Sequence, residues 1–186
     1  PTNCWYANRW FDYAKKLDQL SKKHISSQLK SDLSFLNRKS KQFDYCVIHN
    51  PNNLKLSKLY IFKLKDYNNY SIRDFQILGG HLRSLISFYQ EDKVGIYPDG
   101  VVSKKVSFIN GISEMLIGSL LASYKFNKYK KINNKDNKIK KPSKVKIYSS
   151  SYSRLEKNYI NVEAVSEGTA LTRNLVTEPP NVMTPP

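Results

Sequence analysis

The chain has 186 residues, 31 Lys and Arg against 15 Asp and Glu, a net charge of +16 and a pI near 9.7. That excludes an acidic, halophile-like surface, and a hydrophobic share of 40% with 12% aromatics excludes intrinsic disorder. The length suits one folded unit with a sizeable core. The basicity admits two readings: a nucleic-acid or anionic-membrane partner, or the residue bias of an AT-rich genome. The second is suggested by 25 Lys against 6 Arg, with 17 Asn and 14 Ile. A surface selected for phosphate would recruit more Arg, whose planar fork pairs bidentately.

In chain order, residues 12–35 space Tyr13, Leu17, Leu20, Leu29 and Leu33 by helical intervals interrupted near His24, which predicts short amphipathic helices. Residues 44–49 and 58–64 are rich in β-branched and aromatic side chains on either side of Asn50-Pro51-Asn52-Asn53, so two neighbouring strands are expected. From Ser71, a capping residue, Ile72, Phe75, Leu78, Leu82, Leu85 and Ile86 share a helical face. Gly79-Gly80 within it predicts close approach of another backbone. Residues 93–97 read as a strand ended by Pro98-Asp99-Gly100.

Residues 107–124 form the strongest helical pattern. Ile109, Ile112, Leu116, Leu120 and Tyr124 lie on one stripe, widened by Met115, Ile117 and Leu121, and it is expected to be largely buried. Residues 128–142 lose periodicity and read as a Lys-rich solvated loop. Residues 125–146 carry ten Lys and one Asp, more than half of the net charge, so the remainder is only mildly basic. A short strand at residues 145–148 precedes a helix from about Leu155 to Glu178, with Ile160, Ala164, Leu171 and Leu175 in register and Gly168 as a close-packing point. Pro179-Pro180 must end that helix. Alternating strands and helices predict an α/β domain, a layered mixed sheet flanked by helices.

Catalytic chemistry is sparse. His24, His49 and His81 stand singly, and Cys4 and Cys46 have no paired spacing, so reduced thiols of a cytoplasmic protein are the expectation. No nucleophile elbow, phosphate-binding loop or dinucleotide fingerprint occurs. Asn69-Tyr70-Ser71 carries no weight as a glycosylation acceptor. Glu91 with Asp92, and Glu163 with Glu167, are the close carboxylate pairs, and a two-metal hydrolytic site needs several that converge. No catalytic, cofactor-binding or metal-ligating residue is therefore assigned. No apolar run approaches the roughly 20 residues of a membrane span.

Two segments carry a resemblance. Arg173, Leu175, Pro179, Pro180, Asn181, Thr184 and Pro185 fall on the pattern Arg-Asp-Leu-x-Asn-x-Pro-Pro-Asn-x-x-Thr-Pro. Upstream, Tyr124-Lys125-Phe126-Asn127-Lys128-Tyr129-Lys130 is similar to a helix ending in Tyr-x-Phe-x-x-Tyr-Lys. In this order they resemble the leucyl (cytosol) aminopeptidase family, with Asn174 and Thr177 departing from the usual Asp and Asn. The resemblance implies a parent aminopeptidase with two divalent metals (zinc or manganese), acting on peptides and assembled as a hexamer. It implies that residues 1–153 are a macrodomain-like amino-terminal domain and residues 154–186 an interdomain helix and Pro-rich turn before an absent catalytic domain. The implied roles of this domain are assembly and active-site access. The start at Pro1 and the end at Pro185-Pro186 likewise read as the interior of a longer protein. The competing expectation is a freestanding basic α/β module binding nucleic acid or an ADP-ribose-like ligand.

Overall fold

A computed structural model describes residues 43–49, 58–129, 144–179 and 182. The expected helices of residues 12–35, the Asn50–Asn53 turn and residues 130–143 of the Lys-rich segment lie outside the described residues, as do Cys4, His24, Pro180 and Asn181. Contacts group the chain into two compact units that divide between Lys65 and Asp66.

In the first unit, β1 (Phe43–His49) pairs antiparallel with β2 (Lys58–Leu64), from Phe43 opposite Leu64 to His49 opposite Lys58. The Tyr45 and Phe62 rings, cross-strand partners, lie 6.0 Å apart, a pair of the kind that pins register.

The second unit runs α1 (Ile72–Phe88), β3 (Lys93–Ile96), α2 (Phe108–Ser123), β4 (Lys144–Ile147) and α3 (Tyr152–Thr177). β3 and β4 pair in parallel, Lys93 with Lys144 through Ile96 with Ile147. A parallel pair needs a crossover between its strands, and α2 lies within it. The described residues are thus mixed α/β, with one antiparallel and one parallel strand pair.

α1 starts with a capping box. The Ser71 Oγ accepts from the Asp74 amide, and the Asp74 carboxylate accepts from the Ser71 amide at 2.9 Å. Phe75, Leu78 and Ile86 are buried, whereas Ile72, expected on the same face and the first residue of the helix, is half exposed. On α2, capped by Ser107, the buried residues are Ile112, Met115 and Ile117 with Gly111, Ser113 and Gly118. The burial is shifted from the expected stripe, since Leu120 remains exposed. The shift follows from where α1 and α2 touch. A Cβ on Gly79 would meet the Met115 carbonyl, its carbon 2.8 Å away, and one on Gly118 would meet the Gln76 carbonyl, its carbon 2.6 Å away. The glycines let the two backbones touch, and residues beside them, rather than the most apolar stripe, become the seam.

α3 packs on α2 through Leu155, Val162 and Ser166. The Asn158 amide donates to the Ser113 hydroxyl at 2.7 Å across the same seam. Ile160, Ala164, Leu171 and Leu175 are in helical register as expected but exposed, and the close packing expected at Gly168 is not found, since a Cβ there would meet nothing within 4 Å. The stripe is helical in period but points away from α2. Glu178 leaves the helix in extended geometry, φ −62° and ψ 138°, as the residue before a proline must.

Gly79→Ala and Gly118→Ala are each expected to destabilise the fold by about 1–3 kcal/mol or more through overpacking against backbone. Gly168→Ala should instead stabilise this chain by up to ~1 kcal/mol, the helix-propensity gain. Urea titrations followed by far-UV circular dichroism check both signs.

Candidate functional site

The helix seam brings together the two segments singled out in the sequence. α2 ends with carbonyls that have no partner inside the helix, and the Arg173 Nη1 of α3 donates to one of them, Leu121 O, at 2.9 Å. A cation at a helix carboxy terminus also complements the helix dipole. The Arg173 guanidinium lies 5.5 Å from the Tyr124 ring centroid, within cation–π range. The Tyr124 hydroxyl donates to Asn174 Oδ1 at 2.8 Å. The departure from Asp to Asn at 174 therefore leaves an acceptor in place, with the charge removed.

One turn further, the Lys128 Nζ lies 2.6 Å from Glu178 Oε1, and the Tyr129 hydroxyl donates to Oε2 of the same carboxylate. Hydrogen bonds from Lys128 and then Tyr129 hold the Glu178 carboxyl below its ordinary value, and the Glu178 carboxylate raises the Lys128 ammonium. Lys128, assigned from sequence to a solvated loop, is instead an anchor on the end of α3. These contacts join the end of α2 to the end of α3, and the arrangement works as a clasp.

A second junction sits at the start of α3. Burial opposes ionisation of Asp99, but the Ser149 hydroxyl at 2.5 Å and the Ser150 amide at 2.9 Å donate to its carboxylate and together hold its acidity below the ordinary value. Asp99 lies in the Pro98-Asp99-Gly100 turn after β3, so the contact fixes the exit of β3 to the exit of β4. The sequence marked this turn as a strand end without revealing its partner, which lies 50 residues on.

Alternate residues of β3 and β4 share one face. Lys93, Gly95 and Tyr97 lie beside Lys144, Lys146 and Tyr148 there, all exposed. The Tyr97 and Tyr148 rings stack with centroids 4.9 Å apart and planes 12° apart, and Tyr97 is 75% exposed. The groove beside the start of α1, about 590 Å³ and lined by Ser71, Arg73, Gln76 and Lys105, offers less. The Ser71–Asp74 capping box already occupies that helix terminus.

Among the described residues no three His, Cys, Asp or Glu are grouped so as to hold a metal ion. Asp74 is held in the capping box, Glu114 accepts from Gln76 Nε2 at 2.7 Å, and Glu163 and Glu167 stand exposed on α3. These residues do not fit a divalent metal pair. Among the described residues no helix is long and apolar enough to cross a membrane.

No protein-family pattern matches the chain. Individual proteins do. A probable cytosol aminopeptidase of Rhizobium leguminosarum bv. trifolii is 28% identical over 136 residues, covering 73% of this chain and 27% of that protein. The chain resembles the cytosol aminopeptidases. A probable cytosol aminopeptidase of Methylorubrum extorquens is 27% identical over 150 residues, covering 79% of this chain and 28% of its own length. One of Gluconobacter oxydans reaches 33% over 91 residues, 47% of this chain and 18% of its own. The chain thus spans about a quarter of the length of the Rhizobium and Methylorubrum proteins.

The Asp99 junction generates a pH prediction. Its carboxyl is more acidic when folded, so its contribution is complete above the unfolded value near 3.8 and is lost as pH falls through the lower folded value. Asp99→Asn should lower the melting temperature at pH 7 and flatten its dependence on pH below about 4. Differential scanning calorimetry at pH 7, 4 and 3 measures both effects, and parallel pH curves for the two proteins would contradict the assignment.

Proposed function

We propose that this chain is the non-catalytic amino-terminal portion of a leucyl-aminopeptidase-like metallo-exopeptidase, which releases amino-terminal residues from peptides. The observation that carries the reading is the clasp: the two segments that resemble the family meet through Arg173, Tyr124, Asn174, Lys128 and Glu178. Similarity to cytosol aminopeptidases over about three quarters of the chain supports it independently.

In this reading residues 1–153 are a macrodomain-like amino-terminal domain, and residues 154–186 are a helix and Pro-rich turn leading to the catalytic domain of a cytoplasmic homo-hexamer. The domain serves assembly and access to the active site. Two zinc or manganese ions belong to the catalytic domain, and no residue of this chain is assigned a catalytic role. Lewis-acid activation of water is what such ions supply when bound.

The test is the longer product of the same gene. Purified with Mn²⁺ or Zn²⁺, it should hydrolyse leucine amide, while residues 1–186 alone should not. Turnover by the purified 186-residue chain, in proportion to its concentration and free of contaminating peptidase, would overturn the proposal.

A second reading, a basic module for single-stranded nucleic acid, is favoured by one observation, the exposed Tyr97–Tyr148 stack among Lys93, Lys144 and Lys146. Bases stack on exposed aromatic faces for about 1–3 kcal/mol each, while lysines neutralise phosphate. Fluorescence anisotropy with a labelled oligonucleotide at low salt would show salt-sensitive binding, weakened about tenfold in Tyr97→Ala. Absence of binding at low salt leaves the aminopeptidase reading alone.

A further inference from the structure

The apolar stripe of α3 stays exposed and has no partner among the described residues. Ile160, Ala164, Gly168, Leu171 and Leu175 recur at intervals of four, four, three and four residues, so they lie along one side of the helix. Leu155, Val162 and Ser166, which meet α2, lie on the opposite side. α3 therefore has two apolar faces and uses one. The unused face is open along its length, with Ile160 71% exposed, Leu171 59% and Leu175 48%. An apolar face on a helix of 26 residues marks a surface that something covers.

Gly168 is the second observation. In this unit glycine inside a helix has a recognisable use, since Gly79 and Gly118 allow backbone contact between α1 and α2. Gly168 bears the same helix-weakening penalty with open space around it. A glycine midway along an unused apolar face suits the close approach of another helix or strand.

We propose that this outer face of α3 is the docking surface for the carboxy-terminal portion of the same polypeptide, whose backbone approaches at Gly168. This rests on the aminopeptidase reading for the identity of the occupant. Three things select that occupant over a second copy or an unrelated partner. The matched relatives are about four times the length of the segment they share with this chain. Pro179 follows Leu175 by only four residues, so whatever follows α3 in the polypeptide is tethered covalently to the end of the stripe. The opposite face is already committed by the clasp, where Arg173 and Asn174 hold α3 to the end of α2, so α3 presents its outer face as a fixed edge.

The experiment uses single cysteines in a background with Cys4→Ser and Cys46→Ser, in both the 186-residue chain and the full-length product of its gene. Leu171→Cys tests the stripe, and Glu163→Cys, exposed on α3 but off the stripe, is the control. In the 186-residue chain both should react rapidly with a maleimide. In the full-length protein Leu171→Cys should slow by about tenfold or more while Glu163→Cys is unchanged. Hydrogen exchange of the unsubstituted proteins gives the same comparison without relying on the variants. Equal Leu171→Cys reactivity in a full-length protein that hydrolyses leucine amide would overturn the docking proposal and leave the aminopeptidase reading standing. Protection already present in the 186-residue chain would overturn it too, and dependence on chain concentration would identify a second copy as the occupant. A full-length product without peptidase activity counts against the aminopeptidase reading, whereas the reactivity difference still decides whether the stripe is covered.

Discussion

The second unit depends on a contact between two backbones. Gly79 of α1 sits against the Met115 carbonyl of α2, and Gly118 of α2 sits against the Gln76 carbonyl of α1. The reciprocity fixes both the depth and the axial position of the pair, because neither glycine can slide without placing a side chain where the other backbone now lies. Phe75, fully buried, packs edge-on to Tyr70 with centroids 5.6 Å apart beside this seam. Interiors are packed to near crystal density, so a helix pair seated at this distance leaves little freedom to the residues around it.

The seam constrains the rest of the unit in turn. α2 occupies the connection between β3 and β4 and so permits their parallel pairing. Its exposed end becomes the attachment point for α3, through Arg173 on the Leu121 carbonyl and Tyr124 on Asn174. Asp99 ties the other end of α3 to the turn after β3 through Ser149 and Ser150. α3 is thus held near both ends by polar contacts and along its middle by three buried side chains, Leu155, Val162 and Ser166. Within the clasp Lys128 and Glu178 pair with each other, while Arg173 is held by the Leu121 carbonyl and the Tyr124 ring.

Local signals were legible in sequence where one residue decides them. Ser71 and Ser107 begin helices because a hydroxyl can accept an orphan amide, and Pro179 ends one because it disfavours helical geometry at Glu178. The strands at residues 44–49 and 58–64 followed from β-branched and aromatic composition, and Gly79 from its position within an apolar helix. The clasp was half legible. Both of its segments were recognisable as patterns, but that Lys128 would reach Glu178 50 residues away was not, because composition placed it with the Lys-rich run.

Among the described residues, the sequence by itself determined where helices and strands lie to within a few residues, the mixed α/β character, and that α3 carries an apolar stripe with a glycine in it. Those are properties of local backbone preference and of period, which a linear pattern contains. Tertiary structure alone decided which stripe is buried. A helical period gives the direction of an apolar face relative to its own axis and leaves open where the neighbouring helix lies. Because α2 meets α3 on the side of Leu155 and Val162, the more regular stripe through Ile160 and Leu175 faces outward.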